Sequence, residues 1–191
     1  MKIVPALLGA CLLLTACSEP RPAAPTVTVT APASLAPAPA VDPATLDWLD
    51  GFCSAIHGYR KRTNEEAAPG TSEPRSVVEA QKMLSEELGG IADRTGEVVD
   101  RLTALPPAPV PLAETVRKAL AGKYTTARDR ARDAKTALDR AAPGDVASQD
   151  PAMKALQEAQ QDVDGTYDPI APLAESRELV TAAASAPGCK V

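Results

Sequence analysis

Along four stretches of this chain, apolar positions recur at alternating steps of three and four, and each stretch reads as one face of an amphipathic helix. The cleanest stripe is Leu84, Leu88, Ile91, Thr95, Val98, Leu102 and Leu105. It opens near Pro74, with Ser72 as its cap, and keeps phase across Gly89 and Gly90, which predict a bend at most. Ahead of it, Leu46, Leu49, Phe52, Cys53, Ile56 and Tyr59 predict a helix from the cap-proline pair Asp42-Pro43 to about Thr63. Residues 64–72, with Pro69-Gly70, read as the loop between them. Pro106, Pro107, Pro109 and Pro111 end the second helix and make a stiff turn. The third runs from about Leu112 to Ala141, with Val116, Leu120, Tyr124, Leu138 and the close-packing Ala127, Ala131 and Ala134 on one side. Asp150-Pro151 repeats the start signal for a fourth, which carries Met153, Leu156, Val163, Tyr167 and Ile170. Asp168-Pro169 and Pro172 predict a kink or a restart there, because a residue before proline resists the helical conformation. A last segment passes through Leu173, Leu179 and Val180 to Ser185, and Pro187-Gly188 closes it before Cys189. Short connections between such helices predict an all-α domain over residues 42–191, an antiparallel up-down four-helix bundle.

Before Asp42 the pattern changes. From Ser18 to Val41 the chain is Pro, Ala, Thr and Val with almost no charge, and its six prolines deny it a regular helix. Such a segment is a disordered, semi-rigid tether that could hold a domain up to about 70 Å from its anchor. Thr26, Thr28, Thr30 and Ser34 are candidate O-glycosylation sites on composition alone. Earlier still, Met1 and Lys2 lead into the apolar run Ile3 to Leu14, a secretory signal too short to cross a bilayer core as a helix. Its end, Leu14-Thr15-Ala16-Cys17, resembles the lipobox of bacterial lipoproteins. The resemblance implies acylation of Cys17, cleavage just before it, and a mature protein held by lipid on the extracytoplasmic face of the cell membrane. The rival is an ordinary secretory signal cut after Ala16. Leu8-Gly9-Ala10-Cys11 also fits the lipobox letters, but leaves too short an apolar run before it. The organisation expected is a signal peptide over 1–16, the lipidated Cys17 and linker over 17–41, and the helical domain over 42–191.

Charge narrows the partners. The chain carries a net charge of −5, and loses Lys2 with the signal. An acidic surface argues against nucleic acid and against electrostatic docking on anionic lipids, so attachment rests on acyl chains, of which two or three make a lasting anchor. Of the 4 cysteines, Cys11 leaves with the signal and Cys17 is acylated. Cys53 and Cys189 remain, and in an oxidising compartment they read as one disulfide; a free thiol or a metal pair is the alternative. In an up-down bundle the first helix starts where the last one finishes, so this bridge would staple the seam between them.

The search for chemistry is nearly empty. His57 is the only histidine, four residues after Cys53, a spacing that shares a helix face and suits a metal in principle. Haem ligation by His57 with Tyr59 is a variant; the plainer reading is a partly exposed helix residue. No phosphate loop, nucleophile elbow or metalloprotease signature appears. Glu65-Glu66 and Glu86-Glu87 read as solvent-face carboxylates, and one Trp, one Phe and three Tyr are too few and too spread for a sugar-binding platform. Arg128, Arg130, Arg132 and Lys135 are balanced by Asp129 and Asp133 at helix-neighbour spacing, so they read as a solvated face. Trp48, at the margin of its stripe, reads as core with a partner contact as the alternative.

Taken together, the lipobox, the Pro/Ala/Thr tether, the Trp48 to Cys53 stretch and the terminal Ala186-Pro187-Gly188-Cys189 resemble small lipoproteins of high-GC Gram-positive bacteria. No activity or site residues carry over from that resemblance. The expectation is a non-enzymatic envelope lipoprotein with a structural or protein-interaction role and no cofactor. The alternative is a binder of a small lipid or haem-like ligand between helices, with Gly89, Gly90 and the alanines of the third helix leaving room.

Overall fold

A computed structural model describes residues 41–66 and 73–190. The signal peptide, Cys17 and all but the last residue of the linker lie outside the described residues, as does most of the first loop. Five α-helices make up the described residues: α1 Pro43–Glu66, α2 Val77–Ala104, α3 Pro111–Arg140, α4 Val146–Asp162 and α5 Arg177–Ala183. Single 3₁₀ turns occupy Ala171–Leu173 and Pro187–Cys189, and among the described residues there is no strand. The all-α class expected from the pattern is what the described residues adopt.

The starts of the helices show which local signals govern. Asp42 caps α1, its carboxylate accepting from the Thr45 amide at 2.9 Å. The second helix begins later than Ser72 suggests. Ser76 takes the cap, accepting from Glu79 N, while the Glu79 carboxylate reaches back to Arg75 N. This Ser-x-x-Glu pairing satisfies backbone donors at both positions. Gly89 and Gly90 lie inside a continuous α2. Likewise Asp145, not Asp150, caps α4, and Pro151 sits within it. The fourth helix ends at Asp162, before the Asp168-Pro169 break, because Gly165 turns the chain at φ 72°. Tyr167 and Ile170 therefore lie beyond α4.

Packing follows the stripes. Leu84, Leu88, Ile91, Thr95, Val98 and Leu102 of α2 are buried, as are Leu49, Phe52, Cys53, Ile56 and Tyr59 of α1. On α3, Tyr124, Ala127, Ala131 and Leu138 are buried, and the small alanines admit a close neighbour. The face that α4 buries is made of Ala152 and Ala159, while Met153, expected inside, is 47% exposed. Helix α2 packs on α1 and α3, α3 packs on α4, and α5 with the final 3₁₀ turn packs on α1. Between α1 and α4 there is no extended contact; α2 forms the floor there.

Candidate functional site

Four residues on one face of α1 hold the C-terminal turn. The sulfurs of Cys53 and Cys189 lie 2.00 Å apart, at disulfide distance. One turn earlier, the Asp50 carboxylate accepts from the Gly188 amide at 2.5 Å. One turn later, His57 Nδ1 lies 2.8 Å from the Gly188 carbonyl oxygen. A carbonyl only accepts, so Nδ1 carries a proton in this contact. Ser54 lies between, and a Cβ on Gly188 would overlap its hydroxyl and the Asp50 carbonyl oxygen. The outer edge of His57 lines an open cleft of about 580 Å³ with Arg60, Lys61, Asn64 and Lys190. Tyr59 faces a different cleft, so the structure does not bring together the pair considered for haem. No group of three metal-ligating side chains occurs among the described residues.

Trp48 is buried and stacks on Phe52 with ring centroids 4.9 Å apart, which makes it part of the core. The charged face of α3 is used differently from its helix-neighbour spacing. Arg130 reaches across to Glu158 and Asp162 of α4, at 2.7 and 2.9 Å, instead of pairing with Asp133. Arg128 pairs with the adjacent Asp129. The space expected at Gly89 and Gly90 is filled: Lys135 lies over the first and the Arg94 guanidinium over the second.

Arg94 is the residue that the sequence reading passed over. It sits three residues after Ile91 and four before Val98, on the flank of the apolar stripe, and is only 5% exposed. Its guanidinium pairs with Glu66 at the end of α1 and, at 3.5 Å, with Glu87. Burial pushes the Glu66 carboxyl up, but hydrogen bonds from Arg94 and Arg62 outweigh it and hold the group below its ordinary value. The glutamates expected on solvent faces thus include two that compensate a buried cation. Arg94 Nε and the core Trp48 Nε1 are buried with no hydrogen-bond partner among the described residues.

All three tyrosines converge on the same region. Tyr59 meets Tyr124 edge-on, with centroids 5.3 Å apart, and lies nearly parallel to Tyr167 at 6.5 Å. The Tyr124 hydroxyl bonds to Thr166 at 2.7 Å; burial raises its pKa and, together with Tyr167, raises that of Tyr59, so both stay neutral. Tyr167 is 39% exposed and forms one end of a cleft of about 660 Å³ over the α2 floor between α1 and α4. A second hollow of about 530 Å³ continues the cleft toward the start of α4, with Glu87 and Arg94 in the shared wall. The Tyr end carries Gln157, Gln160 and Gln161; the far end mixes Leu84, Met153 and Leu156 with Glu66, Glu86 and Gln149. The only histidine bonds a carbonyl; elsewhere, Lys135 Nζ donates to Ser85 Oγ at 2.9 Å and to the Asp139 carboxylate at 2.6 Å, and the Ser85 hydroxyl donates to that same carboxylate at 2.5 Å.

No protein-family model matches the chain, and neither a curated protein nor a solved structure does.

Proposed function

We propose that the protein is an extracytoplasmic lipoprotein, anchored through acylated Cys17, whose helical domain acts through contacts with other envelope components and catalyses no reaction. The observation that carries this reading is the Cys53–Cys189 pair at disulfide distance, closing the folded region end to end. Such bonds form and persist in oxidising compartments, which is where the N-terminal segment would deliver the chain. The finer architecture in this reading is an up-down succession of α1 to α4, with α5 and the last turn completing the seam beside α1. It is supported by the sequential packing of α1 on α2, α2 on α3 and α3 on α4.

Metabolic labelling with an alkyne-bearing palmitate analogue tests the anchor. The wild-type chain should incorporate label and stay with the membrane fraction, and Cys17→Ser should lose both. A wild-type chain that takes no label contradicts the proposal.

A second reading, a small-ligand binder, is favoured by one specific observation: the cleft between α1 and α4, lined by Arg94, Gln157, Gln160, Gln161 and Tyr167.

A further inference from the structure

We infer that Asp50 and His57 are positioning residues for the Cys53–Cys189 bond: they seat the C-terminal turn on α1 before the sulfurs join, and so set how readily the pair oxidises. The inference goes beyond the proposed function and does not depend on the lipid anchor.

The seat is built around Gly188, the residue before Cys189. Asp50, Cys53, Ser54 and His57 stand at i, i+3, i+4 and i+7, and so share one face of α1. The two outer side chains grip both backbone polar groups of Gly188. The Asp50 carboxylate accepts from its amide at 2.5 Å, and His57 Nδ1 donates to its carbonyl oxygen at 2.8 Å. Held on both sides, Gly188 leaves Cys189 against Cys53. Neither hydrogen bond involves a sulfur, so both are open to the reduced chain. Just upstream, Leu179, Ala182, Ala183 and Ala186 are buried, so apolar contact brings the segment to the edge of the seat without the covalent bond.

Two thiols 136 residues apart meet rarely in an unfolded chain, because closing so long a loop is entropically costly. In the folded chain the seat replaces that search. Cys53 is buried and Cys189 half-buried, so Cys189 is the thiol that a small disulfide such as oxidised glutathione reaches. Its thiolate attacks one glutathione sulfur, forming a mixed disulfide and releasing one glutathione thiolate. The Cys53 thiolate then attacks Cys189 Sγ and releases the second. The protein loses two electrons and two protons, and glutathione disulfide takes them up as two thiols. The second exchange needs the cysteines in contact, and that is the step the seat governs.

The test uses the full chain carrying Cys11→Ser and Cys17→Ser, so that only this pair can oxidise. Equilibrium against set ratios of reduced and oxidised glutathione, read by alkylation and mass spectrometry, gives the effective concentration of the two thiols. Asp50→Ala should lower it about tenfold, since the lost acceptor is charged, and His57→Ala about threefold. Gly165→Ala strains left-handed backbone at φ 72° in the turn after α4 and places its Cβ against no atom. It lowers stability without touching the seat, and should leave the effective concentration unchanged. In the reduced parent, the Gly188 amide should exchange at least about tenfold more slowly than in the urea-unfolded chain. Asp50 and His57 are half-buried, so both alanine variants should stay helical by circular dichroism; should either unfold, the Gly188 exchange rate decides alone. An amide that exchanges freely in the reduced parent overturns the inference, as does an unchanged effective concentration in both alanine variants. An equal loss in Gly165→Ala also overturns it, because general stability would then account for the effect.

Discussion

Gly188 is glycine because the closing turn lies against α1 with no room for a side chain. A Cβ there would meet the Ser54 hydroxyl and the backbone carbonyl of Asp50, and the backbone cannot move aside. Gly188→Ala should therefore lower stability by about 1–3 kcal/mol, read from the urea midpoint of the oxidised protein. Glu114 illustrates a different residue-scale effect. On the first turn of α3, hydrogen bonds from Arg117 and then Lys118 hold its carboxyl down to about 2, from an ordinary 4.5. The folded chain gives up that proton at lower pH than the unfolded chain does. The resulting stabilisation is complete above about pH 4.5 and is lost as pH falls toward 2. Glu97, held down chiefly by Arg62, shifts in the same sense. Melting temperature should accordingly fall across this acid range, and Glu114→Gln should flatten part of that fall. At this scale the cysteine pair was legible, because compartment and count leave two thiols to each other. Arg94 was half legible: a charge beside Ile91 and Val98 is visible in the sequence, but its carboxylate partners on α1 and α2 are not. The meeting of Tyr59, Tyr124 and Tyr167 was not legible, since it depends on how three distant segments fold together.

Among the elements, strong stripes were read correctly and the weak one was not. On α2 the large aliphatic side chains recur at helical spacing, and their burial dominates any local uncertainty about the two glycines. On α4 the buried face is alanine, whose hydrophobic signal is small, so Met153 was taken for core. Asp150-Pro151 also mimicked a start, whereas Asp145 had already capped the helix. Two glycines separate backbone strain from helix propensity. Gly165 turns the chain at φ 72°, and Gly122 lies within α3; neither would place a new Cβ against any atom. Gly165→Ala should cost about 1–2 kcal/mol, because left-handed backbone strains an L side chain. Gly122→Ala should gain about 0.5–1 kcal/mol from the reduced freedom of the unfolded chain. Thermal melts of the two variants should move in opposite directions; a shared direction would mean that neighbouring structure, not backbone preference, governs both sites.

For the molecule as a whole, the pair Cys53–Cys189 joins residues 136 apart in sequence. Cross-linking so long a loop restricts the unfolded ensemble strongly, by up to about 4–5 kcal/mol on the chain-entropy model. Cys53→Ser/Cys189→Ser should show a correspondingly lower urea midpoint with its helical content retained; an unchanged midpoint would mean that the pair does not close the chain in the native protein. No helix of the described residues is long and apolar enough to cross a membrane. In the proposed reading, attachment depends on Cys17 and on export, and so does the oxidation of the two remaining cysteines.

Intact mass spectrometry of the protein extracted from membranes of its own host examines these linked events at once. The account predicts a chain that begins at Cys17, carries the added mass of a diacylglyceryl group with or without a further acyl chain, and gains the hydrogens of one disulfide on reduction. A chain that still begins at Met1, or one that begins at an unacylated Cys17, would contradict it.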